Sequence, residues 1–171
     1  GIISGAGQIH GLVNCVGVIS IASFHELSQA EWDRIININL TCVFAATQAV
    51  YLHMMENRYG SIVNVSSIAG KMGGGIMGRG AYATSKAALN GLTKVVAKEG
   101  GPYNICCNAV CPGWTDSRMV NDIMSPEDAE RVANMVALHR NGSPDEMANP
   151  VLFYLSELAS FVNGEVSDVD G

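Results

Sequence analysis

Ser61-Ile62-Val63-Asn64-Val65-Ser66-Ser67, a short β-rich run that ends in two hydroxyls, and Tyr82-Ala83-Thr84-Ser85-Lys86, the opening of a long helical pattern, decide how this chain folds. Runs like the first recur at Gly11–Val18, Ile105–Val110 and Glu165–Val169, with helical periodicity between them. Short apolar strands alternating with helices are the rhythm of parallel βαβ units, so the sequence predicts an α/β fold with a mostly parallel sheet, helices on both faces and three layers.

The helices announce their own ends. Ser28 with Glu31 three residues on reads as a capping box, and the pattern resumes from Asn39 through Met55 until Arg58-Tyr59-Gly60 stops it. The second long helix runs from about Gly80 to Glu99; Lys94 and Lys98 suit its negative end, and Gly100-Gly101-Pro102 forbids continuation. Ser125-Pro126 and Ser143-Pro144 each place a capping residue before a proline that tolerates the first helical position. Between the two quoted segments, Gly70–Gly80 carries six glycines in eleven residues and is expected to be a loop. With no repeat and no linker, residues 1–171 read as one domain.

Composition narrows the function. Ten basic against sixteen acidic residues, thinly spread at 15% charged, leave no footprint for nucleic acid or an anionic membrane. No apolar run reaches the roughly 18 residues of a bilayer span, because Asn14 interrupts Leu12–Ile21. Five cysteines, an odd number in a chain large enough to need no staples, read as reduced thiols of a cytoplasmic protein. Cys106, Cys107 and Cys111 lie close together, yet they lack metal-ligand spacing and a nearby His, so buried structural thiols are expected and no metal.

Tyr82 and Lys86, four residues apart on a helix, stack on one face with roughly 6 Å between them along the axis. A neighbouring ammonium and a helix N-terminus both favour phenolate, which would turn a phenol into a usable acid/base; the ordinary alternative is an exposed helical pair. Ser66 and Ser67 leave a strand at its carboxyl end, where open α/β sheets place their ligand crevice, although serines after a strand are commonly turn residues. Asn39 in a helical pattern would ordinarily be a kink with its amide on the backbone.

Together these segments resemble the short-chain dehydrogenase/reductase family over nearly the whole chain. Leu12-Val13-Asn14-Cys15-Val16-Gly17 is similar to the family's LVNNAG segment, Ile38-Asn39-Leu40 to its helix asparagine, Val63-Asn64-Val65-Ser66-Ser67 to its serine strand, and Tyr82–Lys86 to its Y-x-x-x-K. Asn108-Ala109-Val110-Cys111-Pro112-Gly113-Trp114 resembles its PG motif, and Gly164–Gly171 its last strand. Departures are Cys15 and Val16 for the usual Asn-Ala, Cys106 at a commonly polar position, and a longer, Gly-rich loop after Ser67.

By that resemblance the fold is a Rossmann-type doubly wound sheet, of which this chain is the C-terminal two thirds, truncated at the N-terminus. The cofactor is NAD or NADP, the reaction interconverts a ketone and a secondary alcohol, and 3-oxoacyl-carrier-protein reductase-like members look closest. Tyr82 is the implied general acid/base, with Lys86 lowering its pKa and holding the nicotinamide ribose. Ser67, or failing it Ser66, donates to the substrate oxygen, and Asn39 anchors a water of the proton relay. Asn14, Gly17, Tyr82, Lys86, Pro112, Gly113, Thr115 and Ser117 line the cofactor. Met119, Met124 and Met135 fall in a substrate lid over Trp114–His139, or pack a helix pair. Homodimers or tetramers are implied, with a small carbonyl or alcohol as the other partner. Gly1–Gly7 matches a phosphate loop in spacing only, since no strand precedes it, so the strand at Gly11 is expected to lose its usual neighbour and cofactor binding to be weak. The alternative is a catalytically incompetent fragment or pseudoenzyme that acts only through association.

Overall fold

A computed structural model of the chain describes residues 7–75, 77–117 and 124–171. The Gly1–Gly7 spacing, apart from Gly7, and Met119 therefore lie outside the described residues. Four parallel strands stand in the order β1 (Gly11–Asn14), β2 (Gly60–Val65), β3 (Ile105–Pro112) and β4 (Val166–Val169). Ile62 sits opposite Leu12 on one side and Cys107 on the other, and Asn64 opposite Asn14 and Ala109. Because all four run the same way, their carboxyl ends share one edge of the sheet, the placement expected for a ligand crevice.

Alternation along β2 divides the core in two. Ile62, with Cys107 and Ile105, packs against Met54 and Ala97 on helices α2 (Cys42–Asn57) and α4 (Ala81–Gly100). Val63 and Val110 face the other way, onto Tyr154 of α6 (Pro144–Leu155) and Ala159. A sheet covered on both faces explains why β2 and β3 read as unbroken apolar runs rather than alternating ones. Among the described residues the other α-helices are α1 (Gln29–Ile36), α3, a single turn at Ala69–Met72, and α5 (Pro126–Met135).

Three details differ from the sequence expectations. The first strand pairs only to Asn14, not Val18, because beyond Asn14 the backbone of Val18 is claimed by a side chain: Asn39 Oδ1 accepts from Val18 N (2.8 Å) and Asn39 Nδ2 donates to Val18 O (2.9 Å). Among the described strands β1 is an edge, as expected of a Gly11 strand that lacks its usual neighbour. Gly70–Gly80 is not wholly a loop, since its first residues complete the α3 turn that closes at Gly73. Ser28 accepts from Glu31 N, but the Glu31 carboxylate turns to Arg34, so only half of that capping box forms, whereas Ser143 and Glu146 complete theirs.

Asn39 is fully buried within a π-helical turn, Asn37–Thr41, that joins α1 to α2. An extra residue in the turn is a distortion that needs a compensating interaction, and the grip on Val18 supplies it. The whole stretch Gln29–Asn57 is long and apolar enough to cross a bilayer by length and composition, contrary to the expectation that no such run exists. Thr47 within it takes a buried hydrogen bond from Asn14, and Val43 and Met54 are buried, so one side of α2 belongs to this domain's core.

Candidate active site

At the carboxyl edge of the sheet a cavity of about 490 Å³ is lined by Gly17, Ser67, Tyr82, Lys86, Pro112, Gly113, Thr115 and Ser117, with Val13, Val16 and Val65 forming much of its apolar wall. These eight positions come from four separate stretches of sequence. A second, smaller cavity of about 160 Å³ adjoins it and shares Ser67, Tyr82 and Gly113.

Each side chain is held by the element that carries it. Ser66 is buried and donates to the Lys86 carbonyl (3.1 Å), which leaves Ser67 beside the phenol. The turn that bears Ser67 is pinned twice, by Ala69 N donating to Ser67 Oγ (3.1 Å) and Ile68 N donating to the Pro112 carbonyl (3.1 Å). Tyr82 opens α4, and its ring is half-buried. A Cβ on Gly78 would lie 2.6 Å from Tyr82 Cδ1, and Gly78 has φ +71°, so the loop ahead of the helix can close on the ring only with glycine there.

The electrostatics differ from the simple helical-pair picture. Burial pushes the Tyr82 phenol above its usual range, and a hydrogen bond with Ser67 opposes that shift. Lys86 is 3% exposed, and its ammonium donates to the Val65 carbonyl (2.8 Å), 5.9 Å from the centre of the Tyr82 ring. Desolvation pulls its pKa from 10.5 down to about 8. A Cβ on Gly17 would stand 3.3 Å from Lys86 Nζ and 3.8 Å from Asn39 Oδ1, so the glycine keeps the cavity open directly over the ammonium.

Burying that cation has a measurable cost. An unfolded Lys keeps its proton to near pH 10.5 and the folded one only to about 8, so the unfolded state binds more protons between these values and stability rises with pH across the window. The penalty is fully present below pH 8. Lys86→Met should therefore raise the stability of the ligand-free chain at pH 7 by on the order of 1–3 kcal/mol and flatten the rise above pH 8. Urea unfolding at several pH values reads both effects; a parent protein with no rise across that range would contradict the argument.

Two expected site residues do not reach the cavity with their side chains. Asn14 Nδ2 bonds Thr47 Oγ1 (3.1 Å) and Asn64 Oδ1 (2.8 Å), and Asn64 passes the chain on to Thr93 (2.9 Å), a buried polar network on the α2–α4 face of the sheet. The Asn39 amide is spent on Val18 and on Ser85 Oγ (3.1 Å). Sequence reasoning did not single out Ser85, which donates to the Tyr82 carbonyl (2.7 Å) and so links Asn39 to the backbone of the tyrosine. Nor did it single out Lys71, which donates to Val166 O (2.7 Å), pairs with Asp168 (2.8 Å), and ties α3 to β4.

The cysteines are all free thiols. Cys106 and Cys107 are neighbours on a strand and point to opposite faces, so they cannot converge on one ion, and burial pushes Cys107 to about 12. Among the described residues no cluster of three metal-ligating side chains forms.

A family model described as enoyl-(acyl carrier protein) reductase matches residues 2–171. The 3-oxoacyl-[acyl-carrier-protein] reductase of Aquifex aeolicus is 41% identical over 160 residues, 94% of this chain and 63% of that protein. The acetoacetyl-CoA reductase of Shinella zoogloeoides is 38% identical over 96% of this chain and 68% of its own, and a short-chain type dehydrogenase/reductase of Sinorhizobium fredii is 35% identical over 99% and 67%. Among solved structures, a 3-oxoacyl-[acyl-carrier protein] reductase from Brucella melitensis with bound NAD superposes with a TM-score of 0.89 at 34% identity, over 98% of this chain and 63% of that one. The chain thus spans about two thirds of the length of these relatives.

Proposed function

Because this chain belongs to the short-chain dehydrogenase/reductase family, we propose that it forms the catalytic part of an NAD(P)-dependent oxidoreductase that interconverts a ketone and a secondary alcohol. The observation that carries the reading is the convergence of Ser67, Tyr82 and Lys86 on the larger cavity, with Ser67 and Tyr82 at its seam with the smaller one. The larger has room for the nicotinamide end of a dinucleotide, with Gly17, Pro112, Gly113, Thr115 and Ser117 along it, and Lys86 on its wall would hold the ribose. When bound, the cofactor supplies or accepts the hydride.

This chain's residues then manage the proton. A phenol held above its ordinary range by burial stays protonated at neutral pH, which is the form that gives a proton to a carbonyl oxygen as it gains negative charge. Ser67 donates to the same oxygen. Lys86, cationic below about pH 8, stabilises the phenolate left behind. The Asn39 and Asn14 side chains act by positioning: Asn39 fixes Val18 and, through Ser85, the start of α4, and Asn14 fixes the end of β1 above α2.

Titration with NADH and NADPH, read by nicotinamide fluorescence, tests the reading: saturable binding that Lys86→Ala weakens supports it, along with a pH optimum displaced upward. Absence of binding in a polypeptide extended to the relatives' length would favour a protein that works only by association.

The 171 residues act as one domain, and the five free thiols suit the cytoplasm. α2 and α4 expose Phe44, Leu52 and Val95 beside Tyr51, Leu92 and Val96. Helices apolar beyond one stripe need a second partner, and a second copy of the same chain gives homodimers or tetramers through this face. Sedimentation at micromolar concentration is expected to show them, and Leu52→Glu with Val95→Glu to return a monomer; a clean monomer of the parent would contradict this.

A further inference from the structure

Resting on the oxidoreductase reading, we propose that the smaller cavity selects ketones or secondary alcohols whose groups flanking the reacting carbon are compact, apolar and uncharged, and refuses short 3-oxo carboxylates. Its walls are thioethers, an indole and aliphatic side chains: Met72, Met77, Met135, Trp114, Ile19 and Ile68. The hydroxyls of Ser67 and Tyr82 stand where it meets the larger cavity, so a carbonyl oxygen can reach them while the rest of the molecule lies among the methionines. At about 160 Å³ the chamber suits a ligand on the order of five to ten heavy atoms.

No charged side chain lines the cavity among the described residues. Among the described cations near its lining, Lys71 is directed to Val166 O and Asp168, Arg79 Nε to the Gly75 carbonyl (2.9 Å), Lys86 to the Val65 carbonyl, and Arg131 lies 3.9 Å from Asp128. A carboxylate entering here would lose its water and meet no partner. Methionine suits the opposite task, since an unbranched, polarisable side chain repacks around apolar shapes at little cost. Met72 and Met135 are largely exposed, 72% and 69%, and so have freedom to close over such a ligand.

The test is binding rather than turnover. In the 171-residue chain with ¹³C-methyl methionine, cyclohexanone should produce saturable shifts at Met72, Met77 and Met135 and none at Met54, which is buried in the core. The 3-oxobutanoate anion at the same concentration should leave all four unmoved. Met135→Lys, at an exposed helix position that tolerates the change, should weaken cyclohexanone at least about fivefold and let 3-oxobutanoate bind. No shift with cyclohexanone, or equal shifts with both compounds in the parent, overturns the proposal. A parallel assay with NADH and NADPH separates the two claims: methionine shifts without any hydride transfer uphold the selectivity and count against the oxidoreductase reading.

Discussion

Tyr82→Phe is expected to lower carbonyl reduction by about 10²–10⁴-fold, the range associated with loss of a positioned general acid, when measured in a polypeptide extended to the length of its relatives. The fold should survive. The phenol is half-buried and its hydroxyl has a hydrogen bond with Ser67, so removing it forfeits one neutral interaction of about 1 kcal/mol and leaves Ser67 free to turn to water. Cofactor binding should change little, because Lys86, the residue proposed to hold the ribose, keeps its own tether to Val65. The decisive measurement is turnover beside urea unfolding and nicotinamide fluorescence on one preparation. Activity above a few per cent of the parent with intact binding would remove Tyr82 from the role of acid.

Gly70→Ala should damage the same site without touching any reacting group. A Cβ at Gly70 would lie 2.7 Å from Ala87 N and from Lys86 C, and both are backbone atoms of α4 that cannot rotate away. The helical turn α3 must then back off from α4, at a cost of about 1–3 kcal/mol for overpacking. Gly70 N also donates to Ser67 O (3.1 Å), so the displacement carries the serine with it. Turnover is expected to fall at least about tenfold together with stability, since small misplacements of reacting groups are expensive. Gly75→Ala is the control: nothing lies within 4 Å of its Cβ, and it should stay within about 0.5 kcal/mol of the parent. A Gly70→Ala protein as stable as that control would show that the close approach is not required.

These two residues mark the boundary between what each level of description determines. Tyr82 was legible as chemistry in one dimension, because helical spacing alone stacks it over Lys86, and the alternation of apolar runs with capped helices was enough to specify a parallel α/β sheet. Ser125-Pro126 and Ser143-Pro144 start helices as written, since capping is local physics. What the phenol experiences was not legible. Its raised pKa comes from burial in the folded chain, where Gly78 lies close against the ring, while the ammonium that helical spacing aims at it is diverted to the carbonyl of Val65 on β2.

Asn14 and Asn39 carry the same lesson. Their residue type and place in a motif could be read from the chain, yet where their amides point depends on Asn64 fifty residues on, Thr47 across the sheet face and Ser85 on α4. Gly70 reads in sequence as one more glycine of a flexible stretch, and only the packing of α3 on α4 turns it into a position that excludes a methyl group. Local propensity and periodicity act over a few residues and so are written in the sequence; burial, the direction of a buried hydrogen bond and the spacing between two backbones are properties of segments distant in sequence, and exist only once the chain has brought them together.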